Sequence, residues 1–118
     1  MQDRRKFKRL RYGVQVEISY YRKKPGDTDI IRKLKTKDIS AGGIRVVLKD
    51  QLEQGALVSV RLVMPDTGRD VTCFAQVAWV APESAEGFET GFAFMDISNQ
   101  EMTVIQEFIE TELEKGIE

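Results

Sequence analysis

Apolar and polar residues alternate strictly from the start of the first long segment. Val14, Val16, Ile18 and Tyr20 are interleaved with Gln15, Glu17, Ser19 and Tyr21. A period of two places one set against a core and the other toward water, which predicts a half-buried strand. "KKPGDTD" follows with a Pro-Gly turn. A second strand is expected from Ile30 to Lys37, with Leu34 and Thr36 facing inward and four Lys or Arg facing out. After "DISAGG", Ile44, Val46 and Leu48 alternate with Arg45 and Lys49. Three more runs complete the series: Val58 to Met64, Val71 to Trp79, and Phe88 to Met95. Six strands separated by Gly-, Pro- or Asp-bearing breaks have the even spacing of an antiparallel barrel or sandwich.

The period changes at residue 98. Met102, Ile105, Ile109 and Leu113 recur at helical spacing, Ser98 and Glu101 form a capping box, and Gly116 is a plausible terminator. One helix covering an open end or face of the strands is the natural use of that stripe. At 118 residues with 42% hydrophobic content, the chain can bury one modest core, so a single domain is expected. Its parts are a basic arm (1–11), the strand region (12–97) and the helix (98–118).

Charge is divided along the chain. Residues 1–49 hold 15 Lys and Arg against 5 Asp and Glu, and residues 50–118 hold 3 against 14, so a net charge of −1 conceals halves of +10 and −11. Such asymmetry predicts an anionic partner for the first half. The densest cationic patch is "MQDRRKFKRLR", where six bases face one acid. Like charges and little apolar material predict an arm that is mobile until an anion neutralises it.

Several chemistries are excluded by composition. Histidine is absent and Cys73 is the one cysteine, which removes Cys/His zinc sites, intramolecular disulfides and Ser-His or Cys-His nucleophiles. Cys73 lies in the strand-like "VTCFAQVAWV" and is expected to be a buried structural thiol. Asp66 and Asp70 flank a Thr-Gly-Arg turn and read as exposed turn residues. No catalytic or metal-binding residue is assigned, and no enzyme is expected. No apolar run approaches the roughly 20 residues that span a bilayer, and no signal-peptide core is present, so a cytoplasmic protein is expected.

"DISAGG" and the basic arm carry the remaining chemistry. Asp38 and Ser40 can hydrogen-bond their own backbone through a turn, and Gly42 or Gly43 can adopt positive φ or let a ligand approach without meeting a Cβ. Antiparallel topology can bring this turn and the arm to one end of the barrel. Arginine forks two N–H donors to a phosphate or to guanine O6 and N7, and its plane stacks on a base. Asp38 supplies the complementary acceptor for guanine N–H donors. Together these groups suit a guanine nucleotide with phosphates.

Arg5 and Arg9 form Arg-x-x-x-Arg, and Asp38, Ser40 and Gly43 form Asp-x-Ser-x-x-Gly. In that order, with Trp79 in the penultimate strand and "GFAFMDIS" at the last strand's exit, the chain resembles the PilZ domain family along essentially its whole length. The resemblance implies an all-β fold: a six-stranded antiparallel barrel with a C-terminal α-helix. It also implies a receptor for cyclic di-GMP, a bacterial second messenger. Arg5 and Arg9 would grip guanine edges and phosphates, Asp38 and Ser40 would hydrogen-bond a guanine, and Gly43, beside Gly42, would keep the turn open. Arg4 precedes the first motif arginine; in similar domains an arginine there accompanies an intercalated cyclic di-GMP dimer. The output would pass to an unidentified downstream protein. A degenerate PilZ-like interaction module without nucleotide is the alternative, and DNA binding is not expected, since the basic arm abuts the first strand with Phe7 interleaved and no other basic stripe carries aromatics suited to stacking bases. Trp79 is read as a core or rim packing residue.

Overall fold

A computed structural model describes residues 8–20, 29–65 and 69–116. Eight strands and one helix run in the order β1 (Arg9–Leu10), β2 (Gln15–Tyr20), β3 (Ile30–Lys35), β4 (Asp38–Ser40), β5 (Gly43–Leu48), β6 (Leu57–Val63), β7 (Asp70–Val80), β8 (Phe88–Phe94) and α1 (Asn99–Glu114). All strand pairs are antiparallel, in the order β1-β4-β5-β8-β7-β6-β2-β3. The Pro-Gly turn at 23–29 falls mostly outside the described residues, as does Asp66.

Each of the six expected strands is present, and the two additional ones explain how the sheet closes. β3 pairs with β2, and β4, three residues further on, pairs with β5. The link between them is bonded on both sides: Thr36 N donates to Val14 O at 2.9 Å and Lys37 N to Arg45 O at 2.7 Å. β3 and β4 are thus two halves of one bent strand that leaves one sheet edge and joins the other. Closure of this kind limits the edges on which other chains could add to those of β1 and β3. Counted so, the barrel is six-stranded, and β1 is an extra strand laid along β4.

Two expectations are corrected. Asp38–Ser40 is strand instead of turn, and the reversal falls at Ala41 and Gly42. Of the arm expected at 1–11, residues 1–7 lie outside the described residues, and Arg9–Leu10 is paired, Leu10 opposite Ile39 and Arg9 opposite Ser40. Leu10 is fully buried, and covering a leucine side chain is worth about 1.5–3 kcal/mol, which helps offset the entropy lost in ordering so short a strand.

The core follows the alternation. Val14, Val16, Ile18, Val46, Leu48, Val60, Leu62, Val71, Ala75 and Val77 are buried, joined by Ile105, Phe108 and Ile109 of α1. The helix packs over β1 and β4, with Tyr12 and Phe108 in an edge-to-face contact at 5.5 Å. Its capping box is made: Ser98 Oγ accepts from Glu101 N at 3.1 Å, and Glu101 Oε1 accepts from Ser98 N at 3.2 Å. Gly116 follows the C-cap with φ +85°. The stripe did not foretell buried Glu112, whose carboxylate is held by Lys115 Nζ at 3.2 Å. No helix among the described residues is long and apolar enough to cross a membrane.

Candidate functional site

β1 and β4 place the two halves of the motif side by side. Arg9 Nη1 donates to Asp38 Oδ1 at 2.7 Å, while Arg45 Nε donates to Asp38 Oδ2 at 2.9 Å. Asp38 is therefore a carboxylate with 6% side-chain exposure clamped between two guanidiniums. A buried carboxylate demands such partners, since leaving its charge uncompensated costs several kcal/mol. Ser40 is also buried. Its Oγ accepts from Gly42 N at 3.1 Å, forming the local turn bond that serine favours.

The glycine of the motif has a packing reason. A Cβ on Gly43 would overlap the Phe92 carbonyl oxygen of the neighbouring strand β8. Gly43 is not among the left-handed glycines, which among the described residues are Gly55, Gly87 and Gly116. Close strand approach, and not positive φ, is what its missing side chain permits. Gly42 holds the same junction through its carbonyl, which accepts from Phe94 N at 2.9 Å.

Arg45 was missed as a site residue. It stands on the outer face directly opposite Asp38, and the alternation around Ile44 and Val46 already pointed it outward, which was the available signal. A second guanidinium nitrogen, Nη1, reaches Glu89 Oε2 on β8 at 2.5 Å. Partial burial alone would lower the Arg45 pKa, but the hydrogen bond and charge of Asp38, then those of Glu89, outweigh it and hold the pKa above the ordinary arginine value. No sequence signal marked Glu89, since only the β5–β8 register brings it close.

Register extends the site sideways. Asp38 is opposite Arg45, Arg45 opposite Gly91, and Gly91 opposite Trp79, forming one row across β4, β5, β8 and β7. The Trp79 indole covers Gly91, where a Cβ would strike its ring. A register shift between Val77 and Trp79 turns the side chain outward, and it is 42% exposed. Trp79 is thus a surface packing residue on the rim and not part of the core.

The structure brings together Arg9, Asp38, Ser40, Gly42 and Gly43. Arg4 and Arg5 lie outside the described residues. Two other ion-pair clusters sit elsewhere. Arg61 bridges Glu17 at 2.9 Å and Asp70 at 2.5 Å on the outer face of the sheet, and Asp70, expected in a turn, opens β7. Asp50 takes the Tyr20 hydroxyl and Arg32, and burial, then the hydrogen bond to Asp50, push the Tyr20 pKa up to about 12. No group of three or more metal-ligating side chains occurs among the described residues.

A closed small barrel whose first strand lays an arginine against a strand-borne Asp-x-Ser-x-x-Gly defines a recognisable class of domain. The chain belongs to the PilZ domain family, whose profile matches residues 3–111. No curated protein matches the sequence. Solved structures agree on the fold. The Bacillus subtilis inhibitor of motility MotI/DgrA superposes with a TM-score of 0.77 at 19% identity, covering 97% of this chain and 53% of its own. Escherichia coli YcgR in complex with c-di-GMP gives 0.71 at 18%, covering 96% and 47%. The chain spans about half the length of those two proteins. The isolated PilZ domain of YcgR with c-di-GMP gives 0.66 at 15% identity, covering 97% and 95%.

Proposed function

We propose that the protein is a cyclic di-GMP receptor that acts as an adaptor, not an enzyme. The observation that carries this reading is the β1–β4 pairing, which sets Arg9 against Asp38 and Ser40 on one surface. Family membership and the c-di-GMP named with YcgR support the choice of ligand. Arg9 is 38% exposed and bonds Asp38 through Nη1, so its guanidinium keeps further N–H donors for a phosphate or guanine edge. Asp38 and Ser40 provide the acceptors for guanine N–H groups. Arg5 joins Arg9 in gripping the nucleotide, and Gly42 and Gly43 keep the β4–β5 junction flat beneath it. Each bidentate arginine contact contributes about 1–3 kcal/mol of discrimination.

Binding orders the basic residues that precede β1. Their repulsion falls when the two phosphates arrive, and the newly formed surface is what a downstream protein in the cytoplasm reads. Arg4 favours an intercalated ligand dimer, because one more guanidinium suits two further phosphates. The alternative, an interaction module that takes no nucleotide, draws on one observation: Asp38 is already held by two arginines.

Isothermal titration with cyclic di-GMP, with GMP as control, tests the reading. Saturable and selective heat establishes the receptor, and two nucleotides per chain establish the dimer. Absence of heat together with an unchanged melting temperature leaves the interaction module.

A further inference from the structure

We propose that Arg45 is an additional phosphate-contacting residue of the nucleotide site and that Glu89 is the internal anion it gives up when ligand binds. The inference rests on the cyclic di-GMP reading and deepens it.

The two bonds of Arg45 differ in kind. Its Nε bond to Asp38 serves a carboxylate with 6% side-chain exposure, whose burial would be costly without a cationic partner. Its Nη1 bond goes to Glu89, whose side chain is 39% exposed. Exposed pairs of that sort contribute little, because water solvates both partners nearly as well apart. The Asp38 bond therefore fixes where Arg45 stands, and the Glu89 bond is the exchangeable one. Arg45 occupies the row between Asp38 and the Trp79 indole. A nucleotide seated on Arg9 and Asp38 and extending along that row lies over Arg45.

A phosphate competes well for the position held by Glu89. It carries a full charge on oxygens spaced to fit the guanidinium fork. Glu89 itself opposes any anion at this place by like charge. Removing that charge while keeping shape and hydrogen-bonding capacity should strengthen binding, and removing the guanidinium should weaken it.

The test is isothermal titration of the native chain, Glu89→Gln, Arg45→Gln and the double variant with cyclic di-GMP, each checked for its thermal transition. We expect Glu89→Gln to tighten binding by roughly two- to five-fold, within the range given by one screened charge pair. Arg45→Gln should weaken it by at least about ten-fold, and the gain from Glu89→Gln should vanish in the Arg45→Gln background. Native binding with Glu89→Gln unchanged or weaker overturns the inference and leaves the receptor reading intact. A gain that persists without Arg45 also overturns it, since Glu89 would then act by general repulsion alone. Should Arg45→Gln fail to fold, Arg45→Lys takes its place in the cycle, keeping a cation beside Asp38 but losing the guanidinium fork, and an undiminished gain from Glu89→Gln in that background overturns the inference. No binding by any form, native included, overturns the receptor reading and the inference together.

Discussion

Arg9 and Asp38 are 29 residues apart in sequence and 2.7 Å apart in space. The contact is a consequence of backbone pairing, since β1 lies antiparallel to β4 with Arg9 opposite Ser40. The same carboxylate receives Arg45 from the next strand at 2.9 Å. A ligand that binds here enters an existing network of charge.

Arg9→Ala and Asp38→Ala should each lower cyclic di-GMP affinity by at least ten-fold, about 1.4 kcal/mol, and Arg5→Ala should do likewise. Arg9→Ala should leave the fold within about 1 kcal/mol of native stability, because Arg9 is partly exposed and Arg45 still holds Asp38. Titration together with thermal melts separates the two effects. Loss of the cooperative transition in Arg9→Ala would make the contact structural first.

Two glycines should respond unequally to alanine. At Gly43 the new Cβ meets the backbone oxygen of Phe92, which cannot move without shifting β8, and the expected cost is about 3 kcal/mol, the upper range for overpacking. At Gly91 it meets the Trp79 ring, a half-exposed side chain that can swing aside, so the cost should stay under about 1 kcal/mol. Trp79 is the sole tryptophan. Its emission should therefore shift to the red in Gly91→Ala, and chemical denaturation should rank the two variants.

Alkaline pH should destabilise the fold. Burial, then the nearby charges of Glu101 and Asp96, push the Cys73 thiol from 9.0 up to about 11, and Tyr20 moves the same way to about 12. A raised native pKa means that the native state holds its proton more tightly than the unfolded chain. The stability this gives is complete below the unfolded value and is lost as pH rises through the native one. Melting temperature should fall progressively from pH 9.0 to 11. Cys73→Ala should flatten that decline, and the native thiol should resist alkylation at neutral pH while the unfolded one reacts.

Ser98→Ala should remove the capping box at the start of α1 and cost about 1 kcal/mol. Because α1 packs over β1 and β4, a frayed helix should also weaken nucleotide binding. Helical circular dichroism and titration on the same sample check both effects.

The pattern of residues alone determined the six long segments, the helix with its cap, and the order of the two motifs. Alternation and helical spacing report which side of an element faces the core, a local property that each window of sequence carries by itself. Arg45 was half legible: its outward direction was readable, its partners were not. What only the tertiary structure decided were the relations across strands. These include the bend that makes β3 and β4 one closing strand, the docking of Leu10 that fixes β1, and the burial of Asp38 between two arginines. The reason for Gly43 belongs with them, as does the reach of Glu89 to Arg45. Register between segments tens of residues apart is set by the closing of the whole barrel, and no short window of sequence contains it.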